Sequence, residues 1–142
     1  MQRISKTVTI ALVFVSLGWL AHAQTKTSAP EDAAVYIVSP ANGETVPPTF
    51  NVVFGLTGMG VAPAGVVREN TGHHHLLVDG VTLPDMNMPM GDVVTHFGGG
   101  QTQTTLTLPP GTHTLQLILG DHLHIPHEPP VASEVVTITI AN

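Results

Sequence analysis

The chain has 142 residues, a formal net charge of −6 and no cysteine. Its length corresponds to one domain, which can bury a core without disulfide bonds. The acidic balance makes nucleic acid and anionic lipid poor partners, and we expect no nucleic acid to bind, because both require a basic protein surface. Without cysteine, the chain has no thiol nucleophile and no residue for cysteine-linked lipid attachment.

The first part of the chain has the features of a signal peptide. Arg3 and Lys6 precede an apolar run at residues 7–20, which ends in the small-x-small sequence AHA. The run is shorter than the span of about 20 apolar residues that a transmembrane helix needs, so cleavage is favoured over an uncleaved anchor. We predict a signal peptide at residues 1–23, export to the periplasm or beyond, and no membrane insertion after cleavage. Removal of the two basic residues changes the net charge from −6 to −8.

The pattern of the remaining chain predicts strands. Residues 24–34 are polar and proline-marked, which is typical of a flexible leader. Short apolar runs follow, several with a period of two, and Gly, Pro, Asn and Asp separate them. The runs lie at residues 35–38, 50–56, 74–78, 102–108, 112–119 and 135–140. We predict one all-β domain over residues 35–142, an immunoglobulin-like antiparallel β-sandwich of about seven strands.

Three segments of unusual composition resemble a bacterial family, domain of unknown function 4399. They are GMGVAPAG at residues 58–65, TGHHHLLVDG at residues 71–80, and the long segment at residues 95–134 that begins THFGGGQTQT. The resemblance extends over about residues 35–140 and implies a single exported bacterial domain. It implies no reaction. The insert at residues 85–90 is less typical of the family.

Histidine is the main chemical signal, with nine residues in the chain. Residues i and i+2 of a strand point the same way, so two histidines of the run HHH at residues 73–75 can reach one ion. Imidazole is a good ligand for zinc and copper, and a carboxylate can add an oxygen ligand or orient a ring. The candidate carboxylates are Asp79, Asp121 and Glu128. The predicted metal residues are His73, His75, His96, His122, His124, His127 and Asp121.

Loop order predicts that these histidines meet. Successive loops of an antiparallel sandwich alternate between its two ends, which places the run at residues 73–75, His96 and residues 122–127 at one end and His113 at the other. The alternative is that the histidines only pack and hydrogen-bond to backbone groups.

A second motif contains three methionines, Met86, Met88 and Met90. Thioethers at this spacing are soft ligands suited to Cu(I). An exposed loop with adaptable apolar side chains produces the same pattern, and we favour that interpretation.

Other patterns argue against several enzyme classes. The serines lack the G-x-S-x-G setting of a hydrolase nucleophile, and no H-E-x-x-H motif is present in the sequence. We interpret the chain as a non-enzymatic periplasmic binding domain with a histidine-rich end that binds zinc or copper. One alternative is a structural or protein-interaction sandwich without metal, whose partner is a periplasmic protein. A metal-dependent enzyme is the third hypothesis.

Overall fold

The computed structural model describes residues 26–142, so the predicted signal peptide and its cleavage site lie outside the described residues. This part of the chain forms nine strands and one turn of 3₁₀ helix at Gly91–Val93. The strands are β1 (Ala34–Ser39), β2 (Thr45–Val46), β3 (Thr49–Thr57), β4 (Gly60–Val61), β5 (Thr71–Val78), β6 (Thr95–His96), β7 (Gln103–Thr107), β8 (Gly111–Gly120) and β9 (Val136–Ile140). Within residues 26–142, no helix has the length and apolar character needed to cross a membrane.

The six predicted strands are confirmed as β1, β3, β5, β7, β8 and β9. The sequence did not indicate β2, β4 and β6, because a strand of two residues is too short to show an alternating pattern.

The strands form two sheets, which confirms the predicted all-β sandwich. One sheet has the antiparallel order β1-β3-β7. The other has the order β2-β9-β8-β5-β4, and β6 pairs with β5 beside this path. The two-residue strands β2 and β4 pair in parallel with β9 and β5, while the long neighbours are antiparallel.

The main core lies between the two sheets. Leu115, Leu117 and Leu119 of β8 share one face, and all three are fully buried and belong to one core cluster with Val52 and Phe54 of β3. Burial of each such leucine stabilises the fold by about 1.5–3 kcal/mol.

Strand β5 is buried on both faces, and this determines where its histidines lie. Leu76 faces the main core, whereas Leu77 packs on the opposite face with Met90, Val94 and Ile118. The segment before β6 therefore covers the outer face of β5. His73 and His75 lie on the same face of β5 as Leu77, because strand residues alternate in direction.

The described part of the predicted leader packs on the domain. Ser28 forms a parallel bridge with Glu128, and the amide of Ala29 donates to the Glu128 carbonyl at 3.0 Å. Lys26 pairs with the Glu128 carboxylate at 2.9 Å. Ala29 is buried in the main core, so this segment contributes apolar contacts as well as hydrogen bonds.

Candidate metal centre

The site begins with two histidines on the outer face of β5. His73 and His75 are 0 % and 1 % exposed, and their ring centroids lie 4.6 Å apart. His74 points to the opposite face, where its ring lies 5.1 Å from that of Phe54 and its Nδ1 is 3.2 Å from the Gln101 carbonyl. The alternation of a strand thus separates the run of three histidines into a pair at the site and one residue in the core.

A third ring comes from the short strand β6. The register of β5 and β6 places His96 directly opposite His75. Their rings are stacked, with centroids 5.7 Å apart.

A fourth ring comes from the tight turn that follows β8. One carboxylate oxygen of Asp121 accepts the amides of Leu123 and Ile125, at 2.9 and 3.0 Å. The other oxygen accepts the hydroxyl of Thr27 at 2.7 Å. His124 stands in this turn with φ of 65°, a left-handed conformation that is uncommon outside glycine. Asp121 therefore fixes the turn that aims His124 at the other rings.

The four rings of His73, His75, His96 and His124 form what we call the histidine cluster. The His124 centroid lies 4.5 Å from that of His96, 4.8 Å from that of His73 and 5.6 Å from that of His75. One ring nitrogen from each of His73, His96 and His124 lies within 4.8 Å of the other two. The predicted meeting of histidines is confirmed for these four rings.

The nitrogen separations match those around a small metal ion. His73 Nε2 lies 3.0 Å from His124 Nδ1, and His75 Nε2 lies 3.4 Å from the same atom. Two nitrogens bonded to one tetrahedral zinc ion, each at about 2.0–2.1 Å, are separated by about 3.3 Å.

Hydrogen bonds alone do not satisfy these nitrogens. A neutral imidazole has one donor and one acceptor, so His124 Nδ1 can accept from only one of the two rings that face it. Within residues 26–142, His73 Nδ1 and His75 Nδ1 are buried without a hydrogen-bond partner, as is Nε2 of His74 on the other face of β5. Each unsatisfied buried atom costs about 1–3 kcal/mol. An ion between His73 Nε2 and His124 Nδ1 removes the conflict at His124 Nδ1, because it accepts one lone pair from each of these two rings.

The surroundings keep the rings of His73, His75 and His124 neutral, which is the form that binds metal. Burial and then the neighbouring His124 and His96 lower the pKa of His73 to about 4. Burial and then the neighbouring His73 and His124 lower the pKa of His75 to about 3. The pKa of His124 is also lowered, chiefly by burial.

A pocket of about 280 Å³ opens beside the cluster. His75, His96 and His124 line it together with the segment before β6. The lining residues of that segment are Pro89, Gly91, Asp92 and Val94. Sequence reasoning missed Asp92, since nothing in its local pattern indicates that the loop folds back over β5.

Three of the predicted metal residues lie outside the cluster. Both ring nitrogens of His127 face backbone carbonyls, Nδ1 that of Leu119 at 3.4 Å and Nε2 that of Thr71 at 3.2 Å. His122 lines a separate pocket with Arg68. Asp121 holds the turn, and its charge opposes the lowering of the pKa of His73 and of His124. Strand β8 ends at Gly120, so His122 and His124 lie in the turn beyond it.

The two other candidate carboxylates have different partners. Asp79 Oδ2 lies 2.7 Å from His113 Nδ1, and Glu128 pairs with Lys26. His113 Nε2 also lies 2.9 Å from the Pro109 carbonyl, and none of its contacts involves the cluster. The predicted separation of His113 is therefore confirmed.

The route by which the histidines meet differs from the prediction. Loop order placed them on loops at one end of the sandwich, but His73, His75 and His96 lie on the paired strands β5 and β6. Only His124 comes from a connecting turn.

The methionines do not act as one group. Met90 is 4 % exposed and packs in the small core under the segment before β6, whereas Met88 is 58 % exposed.

Comparison with known proteins places the chain in a family without giving it an activity. No curated protein and no solved structure matches the chain. A family model described as domain of unknown function (DUF4399) matches residues 52–141, from the middle of β3 to the end of β9, which confirms the resemblance seen in the sequence. The chain belongs to the domain of unknown function 4399 family.

Proposed function

We propose that this domain binds a transition-metal ion, zinc or Cu(II), at the histidine cluster. His73, His96 and His124 are the ligands, and His75 is the fourth ring beside them. The convergence of ring nitrogens from three separate chain segments is the observation that carries the proposal. Neutral imidazole suits both metals.

The fold positions the histidine ligands before a metal ion binds. His73 and His75 are fixed by a strand in the middle of its sheet, His96 by pairing with that strand, and His124 by the turn at Asp121. Such fixed ligands need little rearrangement on binding. Structural zinc sites bind with about 10–16 kcal/mol, far more than the cost of a buried unpaired Nδ1–H.

His127 shows what a histidine with a purely structural role looks like in this fold. It is fully buried, and both its ring nitrogens face backbone carbonyls. The rings of the cluster face one another instead. This contrast favours a metal site over a sandwich whose histidines only pack.

The proposal includes export to the periplasm, which rests on the signal peptide predicted at residues 1–23. The intact mass of the secreted protein tests it: we expect a mature chain that begins at Gln24. A chain that begins at His22 would contradict the predicted cleavage.

Thermal melting of tag-free protein with zinc, Cu(II) or calcium tests the metal site. At a hundredfold excess over the dissociation constant, an ion that binds only the folded state adds about 2.7 kcal/mol of stability. For a domain of this size that gain raises Tm by about 10 °C. Calcium prefers oxygen ligands and should change Tm little.

His96→Ala is the informative variant, because His96 is exposed and its loss leaves the core intact. We expect it to lose most of the metal-induced shift. His122→Ala is the matched control, since His122 lies two residues from His124 but outside the cluster. An unchanged wild-type Tm with both transition metals, or an equal shift in His96→Ala, would refute the proposal.

A further inference from the structure

The pocket beside the histidine cluster reaches the place where the ion would lie. His96 and His124, two of the three proposed ligands, form part of its wall together with His75. His73, the third ligand, is fully buried. An ion held by these three rings therefore has protein on one side and the pocket on the other.

His75 is not in the group of three rings whose nitrogens all lie within 4.8 Å of one another. Three histidine ligands leave a tetrahedral ion with a fourth position, which catalytic zinc sites fill with water or substrate. We infer that the bound ion keeps this position open to the pocket, and that a small neutral molecule with a lone-pair donor atom and a polar hydrogen binds there. The inference rests on the proposed function, because it requires the ion.

The carboxylate of the pocket selects the class of ligand. Of the residues described in the lining, Asp92 is the one acidic side chain, and it is exposed to solvent. A carboxylate accepts a hydrogen bond from an N–H or O–H group and repels an anion. The ligand therefore coordinates the ion through its lone pair and donates its hydrogen to Asp92.

The pocket has room for a small ligand. Its volume of about 280 Å³ lies just below the range of about 300–1,000 Å³ that is usual for drug-sized ligands. Water, ammonia-like amines and single five-membered rings are of the right size.

Imidazole and azide are the probes, added to protein loaded with Cu(II) and followed by visible absorption and electron paramagnetic resonance. Imidazole is neutral and has both a lone pair and an N–H group, whereas azide is an anion without a hydrogen. We expect imidazole to change the spectra saturably and azide to bind more weakly. Metal content measured after the titration separates binding to the ion from removal of the ion, and loss of the ion would overturn the inference.

Asp92→Asn tests the role of the carboxylate. We expect it to weaken imidazole binding about fivefold, the effect of one hydrogen bond, and to strengthen azide binding. Asp85→Asn is the matched control, because Asp85 is an exposed carboxylate of the same loop that does not line the pocket. Equal probe affinities in wild type and Asp92→Asn would refute the role of Asp92.

The outcomes also separate this inference from the proposed function. If Cu(II) binds but neither probe changes the spectra, the site is closed and only the inference fails. If Cu(II) does not bind to the wild-type protein, the proposed function and the inference fail together.

Discussion

Strand β8 begins close to one histidine environment and ends close to a very different one. Near its start, His113 contacts the Asp79 carboxylate and the Pro109 carbonyl, and the bond to Asp79 raises its pKa. Beyond its end, His124 faces the rings of other histidines, and burial lowers its pKa. Acceptor oxygens stabilise the charged ring at the first site, whereas burial among like groups keeps rings neutral at the second. The groups that contact each histidine ring therefore indicate which of the two environments suits a metal ion, and a count of histidines does not.

Low pH should have the largest effect on the histidine cluster, which we expect to see in the free energy of unfolding. His73 and His75 have pKa values of about 4 and 3 in the fold, below the value of about 6.5 in the unfolded chain. The unfolded state therefore binds more protons below pH 6.5. The free energy of unfolding of metal-free protein should be highest above pH 6.5 and should fall as the pH drops towards 4. Each ring contributes a slope of at most about 1.4 kcal/mol per pH unit.

Urea unfolding between pH 7.5 and 5, with a chelator present, measures this slope. His75→Leu removes one titrating ring and should flatten the dependence. A free energy of unfolding that is independent of pH in this range would show that the buried rings are not held neutral by the fold.

A methyl group at Gly120 should disturb the cluster with the next largest effect. A Cβ there would lie 2.5 Å from His75 Cε1 and 2.8 Å from Met90 Cε, so His75 must move. Gly120→Ala should destabilise the protein by about 1–3 kcal/mol, the usual cost of overpacking, and should weaken metal binding.

Gly60→Ala is the control for that variant. A Cβ at Gly60 would meet the Thr71 methyl at 3.5 Å, which is an ordinary contact. Chemical denaturation and zinc titration of both variants measure the two effects. A Gly120→Ala protein with wild-type metal affinity would show that the position of His75 does not matter to the site.

The sequence predicted the parts of this site that depend on local alternation. The alternation of apolar and polar residues with a period of two predicted the six long strands and the shared direction of His73 and His75. It could not give β6, a strand of two residues whose pairing places His96 opposite His75. Nor could it distinguish His124 from His127, since the turn held by Asp121 directs His124 to the cluster, whereas His127 lies beyond that turn with its ring nitrogens facing backbone carbonyls. Those outcomes depend on contacts between distant parts of the chain.

The segment at residues 26–29 offers a smaller perturbation of the cluster. The Thr27 hydroxyl donates to the Asp121 carboxylate, which in turn holds the turn with His124. Thr27→Val should cost about 1 kcal/mol of stability and should lower metal affinity by a few fold. Thr49→Val, which removes an exposed hydroxyl pair with Thr107, is the control. Equal metal affinities in the two variants would show that the segment at residues 26–29 has no influence on metal binding.

The smallest effect on stability should come from substitution of His113, near the start of β8. The Asp79 side chain is 49 % exposed, so its pair with His113 is screened by solvent and contributes less than about 1 kcal/mol. Because the pKa of His113 is raised in the fold, its contribution is complete below pH 6.5 and is lost as the pH rises through the folded value. His113→Gln should therefore destabilise the protein slightly at pH 5.5 and less at pH 8.5, opposite in sign to the pH dependence of the cluster.

The zinc-induced change in Tm of His113→Gln should equal that of the wild type, because His113 makes no contact with the cluster. A loss of the zinc response as large as that of His96→Ala would mean that the two histidine environments are coupled through β8.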